Sequence, residues 1–140
     1  MDTQIYTQGH FTEMDSMHDY TATKISVQDN TLSVVYGKLD QEGIKEDGSP
    51  YYKYKKVTIE YEIQSYCDAK IFKKSRYKLI DLLQEKNQFD KLTKNSIFES
   101  YKYSLDSFGE LTLHFDIRFK NKNWSCEIEL DAEKVTYHWE

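Results

Sequence analysis

The sequence has one proline, two cysteines and five glycines in 140 residues. Each scarcity excludes something. With Gly43 and Gly48 isolated in an acidic stretch, there is no glycine-rich loop to cradle phosphate. With only Cys67 and Cys126, and no CxxC or His-rich spacing, there is no zinc-ribbon pattern and no disulfide framework. No apolar run approaches the roughly 20 residues that a membrane helix needs. The first residues, "MDTQIYTQGHFTEMD", carry neither a basic n-region nor an apolar h-region, so the expectation is a chain without a secretory signal, cytoplasmic, with reduced thiols. A Cys67–Cys126 disulfide is sterically conceivable, but that compartment argues against it. No GxSxG or other nucleophile setting occurs, and no cofactor is expected.

What the sequence does have is tyrosine, twelve of them, within an aromatic share of 15%. Disordered chains are poor in aromatic and β-branched residues, so this one should fold, and its length suits one domain. Net charge is −5, which does not favour wholesale nucleic-acid binding. Charge is unevenly spread. Residues 1–48 hold nine acids against three lysines, and residues 49–78 hold eight bases against three acids. Residues 79–105 balance, and residues 106–140 are again acidic. Strands of opposite sign neutralising one another across a sheet explain this better than one basic patch.

Alternation of period two dominates and predicts half-buried strands. In "LTLHFDIRF" (111–119), Leu111, Leu113, Phe115, Ile117 and Phe119 share one face. "WSCEIELD" and "KVTYHWE" repeat the pattern, with short links that predict a three-stranded meander. "YTATKISV" and "TLSVVYGKL" flank the turn signal Gln28-Asp29-Asn30 and predict a hairpin. In the stretch 57–64, Val57, Ile59, Tyr61 and Ile63 form one face and Thr58, Glu60, Glu62 and Gln64 the other. "CDAKIFKK" and "SIFESYKYSL" read as further strands. Leu79, Ile80, Leu82 and Leu83 stand at helical spacing, which predicts one helix over about 76–87, with Ser75 as N-cap and Asn87 at its end. The expected fold is α+β, mainly β: one domain of seven to eight antiparallel strands with that helix between central strands. Residues 1–15 are expected as a loose N-terminal segment and 40–50 as a mobile loop. The expected core includes Val57, Ile59, Ile63, Leu79, Leu83, Leu113, Phe115, Ile117, Cys126, Ile128 and Trp139.

Two surfaces qualify as candidate sites. If Phe119 pairs with Trp124 and Leu130 with Val135, His114 faces Glu129, Asp116 faces Glu127, and Glu127 faces His138. Imidazole and carboxylate suit a divalent metal or acid/base work, so His114, Glu127, Glu129 and His138 form a candidate metal site. Ordinary cross-strand pairing on a solvated sheet face accounts for the same residues. In "YYKYKK", Tyr52, Tyr54, Lys55 and Lys56 form a candidate binding surface for RNA or protein. A phase break at Lys55-Lys56 implies a bulge or a strand that starts after the lysines. The His18-Asp19 dipeptide at a strand entrance suits catalysis with His18 as base or, more commonly, a local turn capped by Asp19 with His18 at the sheet rim.

"CDAKIFKKSRYKLIDLLQEKN", the His18-Asp19 entrance and the ending "VTYHWE" together resemble a loose group of small bacterial β-rich proteins, spanning roughly residues 17–140. Some of these resemble immunity proteins of toxin systems or phage-borne accessory proteins. The resemblance implies a non-enzymatic cytoplasmic module that binds another protein, such as a toxin, and it carries over no site residues. Tyrosine abundance and acidic patches able to meet a basic toxin agree with that implication. A small metal protein or enzyme, and an RNA-associated protein, are the alternatives. A homodimer through an exposed sheet edge is a further expectation.

Overall fold

The computed structural model describes residues 2–39, 54–119 and 122–140. Among them the strands are β1 (Asp2–Thr7), β2 (Thr21–Ala22), β3 (Lys24–Gln28), β4 (Thr31–Tyr36), β5 (Val57–Lys73), β6 (Arg76–Asp81), β7 (Ile97–Leu105), β8 (Leu111–Phe119) and β9 (Lys122–Trp139). A short 3-10 turn covers Phe11–Glu13, and the helix, α1, covers Lys86–Leu92. All pairings are antiparallel. The chain is α+β, mainly β, with one helix among the described residues.

Two long strands organise the sheet. β5 and β9 run 17 and 18 residues and pair with each other over most of their length. Their first shared half joins Val57–Ile63 to Ala132–Trp139, and this half carries β1 beside β9 and β4 beside β5. Their second half joins Cys67–Phe72 to Ser125–Leu130 and carries β8 beside β9 and β6 beside β5. Between the halves, Gln64, Ser65 and Tyr66 stand against Asp131 alone, and Glu133 is extra on β9. Bulges of this kind bend a ribbon sharply. The Asp131 carboxylate holds the bend by accepting the Ser65 and Tyr66 backbone N–H groups, each at 2.9 Å, and the Ser65 hydroxyl.

β2 and β3 are one stretch interrupted at Thr23. Thr21 and Ala22 pair with β7, Lys24–Gln28 pair with β4, and Thr23 N–H donates to Val35 O at 2.7 Å. The order β2-β7-β8-β9-β5-β4-β3 therefore returns on itself, and the bent sheet closes as a barrel around one apolar cluster. Alternation drives this closure: Val57, Ile59, Cys67, Ala69 and Ile71 of β5 and Cys126, Ile128, Leu130, Val135 and Tyr137 of β9 are buried, as are Leu113, Phe115 and Ile117 of β8.

Several expectations need correction. Arg76–Asp81 is a strand, not the start of a helix. Lys74 adopts a positive φ (58°) in a two-residue turn, which folds β6 straight back onto β5. Pairing overrides the helical spacing of Leu79, Ile80 and Leu83, and the helix begins ten residues later, at Lys86, where Phe89 packs on Phe98. Leu79 is consequently 54% exposed rather than core, and Leu83 only partly buried. Asn87 lies inside α1, not at its end. The last thirty residues are a hairpin whose second arm continues through Asp131–Lys134 without turning, so β9 replaces two strands of the expected meander. Residues 1–15 do not hang loose: β1 pairs with β9, and Phe11 and Met14 are buried. The expected loop at 40–50 lies outside the described residues.

Candidate functional site

The outward face of the second half is best read as rows crossing the strands. One row runs Lys102, His114, Glu127, Lys70, Leu79, and the next runs Ser104, Thr112, Glu129, Asp68, Asp81. The hairpin turn between β8 and β9 is two residues tighter than expected, since Phe119 pairs with Lys122. His114 therefore meets Glu127 rather than Glu129, and Asp116 meets Ser125.

The four candidate metal residues do not converge. His114 Nδ1 lies 3.5 Å from Glu127 Oε1, and its Nε2 lies 3.1 Å from the Ser104 hydroxyl. Lys70 Nζ binds Glu129 Oε1 at 3.1 Å. His138 stands eleven residues beyond Glu127 on the same strand, past the bend, and pairs with Glu60 at 2.6 Å. The continuity of β9 is the reason, because the turn meant to bring His138 back is absent. No group of three potential ligands occurs among the described residues. Burial lowers the His114 imidazole below its usual range, with Lys102 reinforcing the effect and Glu127 opposing it.

The second candidate surface is also committed internally. The Tyr54 hydroxyl donates to Asp2, and its ring lies 5.5 Å from that of Trp139. Lys55 and Lys56 bond through their backbones to Glu140, and β5 begins just after them, at Val57. Tyr52 lies outside the described residues. His18 and Asp19 contact each other at 3.0 Å on the surface, where Asp19 takes a positive φ (70°) and donates its N–H to Ser100 O. That is a turn.

The barrel interior is filled. Tyr36, Tyr61 and Tyr137 converge there around the 15–17 segment, and the space left among them is about 10 Å³, enough for about one water. The Tyr137 hydroxyl donates to Asp15 O at 2.7 Å, and Tyr103 donates to Phe11 O and Met14 O. Burial raises all three interior phenols, so they are hydrogen-bonding groups and not acids. Both thiols are free and buried, and burial pushes Cys67 up to about 12, with the neighbouring carboxylates adding to the shift.

What sequence reasoning missed is the β6 edge. Tyr77 is 63% exposed, Leu79 is 54% exposed, and both lie on the outward face of a strand whose other neighbour is missing among the described residues. The Tyr77 ring packs at a tilt against Phe72, centroids 5.7 Å apart, beside an open hollow of about 540 Å³ that also touches Lys74, Arg118 and Trp124. On the same face Asp68 sits between Asp81 and Glu129. Its carboxyl is raised by burial first, then by those two acids, with Lys70 opposing. The "KKSR" turn signal at 73–76 marks this edge in the sequence, but the leucine spacing beyond it points to a helix. No helix among the described residues is long and apolar enough to cross a membrane. No family model, no curated protein and no solved structure matches the chain.

Proposed function

We propose that this chain is a non-enzymatic protein-binding module whose contact surface is the outward face of β5, β6 and β9 in the second half of the barrel. One observation carries the reading: Tyr77 and Leu79, both more than half exposed, flank an acidic row on the same face. Exposed aromatic and aliphatic groups supply the apolar area of an interface. The row Glu129, Asp68, Asp81, in which Lys70 bonds Glu129 and the Leu83 N–H bonds Asp81, favours a partner that brings cations. A basic toxin domain answers that description, which makes an immunity-type inhibitor the concrete form of the proposal. The metal and RNA alternatives receive less support, because His138, Tyr54 and Glu129 are engaged by Glu60, Asp2 and Lys70.

The test is affinity capture from host extract with wild-type protein and with the double variant Tyr77→Ala/Asp68→Lys, quantified by mass spectrometry. A partner retained by the wild type, released by salt and lost from the double variant is the expected outcome. Identical captures by both proteins would remove this face from the account.

A further inference from the structure

We propose that the hollow between β8 and the tip of the β5–β6 hairpin seats a nucleotide, its base among the aromatic rings and its phosphate on the cations of the tip. The inference goes beyond the protein-binding reading and uses neither the acidic row nor Leu79. It also lies apart from Tyr54, Lys55 and Lys56, which precede the first half of β5. The hollow begins with one row of the outward sheet face: Asp116, Ser125, Phe72 and Tyr77, in order across β8, β9, β5 and β6. Ser125 is the small member of that row, so the face dips between Asp116 and the Phe72 ring, against which Tyr77 packs. Arg118 and Asn123 form the next row, and Trp124 adds a second aromatic wall. The space of about 540 Å³ lies within the roughly 300–1,000 Å³ of small-molecule sites.

The groups around the hollow indicate what it takes. The side chains of Lys74, Asp116, Asn123 and Ser125 make no ion pair or hydrogen bond among the described residues, so their bonding capacity is unspent. Arg118 lines the same space while bonded to Glu99 at 3.0 Å. The tip concentrates positive charge: Lys73, Lys74 and Arg76 fall within four residues, with no acid among them. None of the three is in an ion pair among the described residues. Lys73 Nζ lies over the Trp124 ring, 4.6 Å from its centroid, which sets a cation beside an aromatic wall. Rings that can stack on a base, beside Lys and Arg that hold phosphate, are the recurring pairing of nucleotide recognition. A bare polyanion would use the cations and leave the rings idle, and Asp116 would repel it. A base instead presents N–H groups that Asp116 accepts, and acceptor atoms that Asn123 and Ser125 can meet as donors. Cations at one side and a carboxylate among aromatics at the other match the two ends of a nucleotide. The chain as a whole carries −5, so the attraction is local and suits a single nucleotide or a short single strand, not a duplex.

Calorimetry and tryptophan fluorescence provide the test, with AMP, GMP, UMP, short oligoadenylate and oligouridylate strands, and inorganic phosphate as probes. Saturable quenching by the nucleotides is expected, and Trp124→Phe should abolish it although Trp139 remains. Lys74→Asn removes a cation while keeping a residue that tolerates the positive φ of this turn, so the fold is retained. It should weaken binding roughly tenfold, the loss of one charge-assisted bond, and added salt should weaken the wild type in the same direction. Tighter binding of the strands than of the mononucleotides would name single-stranded nucleic acid as the source, and equal binding would name the free nucleotide. Absence of saturable binding overturns the proposal. So does binding that Lys74→Asn leaves unchanged, or phosphate held as tightly as the nucleotides.

Discussion

The two halves of the β5–β9 ribbon share the same inward alternation but differ on the outside. In the first half the outward charges pair off: Glu60 with His138, and Lys134 with Glu62 at 3.5 Å. Its edge strand β1 presents threonine and glutamine, with Ile5 the one large exposed apolar side chain. In the second half three carboxylates stand side by side, with Lys70 bonded to Glu129 and the Leu83 N–H to Asp81, and the edge strand exposes Tyr77 and Leu79. Folding accounts for the paired charges of the first outer face. The second carries apolar exposure and like charge that folding does not require, and such features mark interfaces.

The comparison can be broken at the core that both halves share. Phe115→Asp puts a carboxylate where the side chain is buried and should cost more than about 4 kcal/mol, abolishing the folded state in thermal and chemical denaturation. Tyr137→Phe, which removes one interior hydrogen bond from the first half, should cost only about 1 kcal/mol.

The bend joining the halves comes next. Asp131→Ala leaves the Ser65 and Tyr66 N–H groups without their carboxylate and should cost about 2 kcal/mol by urea titration, with Asp131→Asn intermediate. Burial raises the Asp131 carboxyl, but the hydrogen bonds from Ser65 and Tyr66 outweigh it, and the net direction is below the ordinary value. Its stabilisation is therefore complete above pH 3.8 and is lost as pH falls through the lower folded value, a loss the alanine variant should not show.

The smallest effects distinguish the outer faces. Asp68 is raised in the folded state, so its ionisation opposes folding at neutral pH and ceases to do so below 3.8. Asp68→Asn should therefore stabilise by about 0.5 kcal/mol at pH 7, and the gain should vanish at pH 3. His114 is lowered, so its contribution is complete above pH 6.5 and erodes as pH falls, because the unfolded chain takes up the proton first. His114→Gln should flatten that erosion in stability measured between pH 7 and pH 5.

The inward face of the barrel was legible because alternation is a local signal: Val57, Ile59 and Ile63, and Leu113, Phe115 and Ile117, are buried as their spacing requires. β6 was not legible, because Leu79, Ile80 and Leu83 fit a helix, and only the two-residue turn at Lys74 commits them to β5. His114 and Glu127 were placed on the correct face, but their register depended on a turn two residues tighter than its composition suggests. The link to His138 failed because Asp131–Lys134 reads as a turn and is a bulge held by pairing with β5. Whatever depended on long-range pairing was hidden, and with it the edge that now carries the functional reading.

Amide exchange on β6 with and without the captured partner measures that reading most directly. The account predicts that the Tyr77 and Leu79 N–H groups exchange more slowly once the partner is bound. Exchange there that the partner leaves unchanged would contradict it.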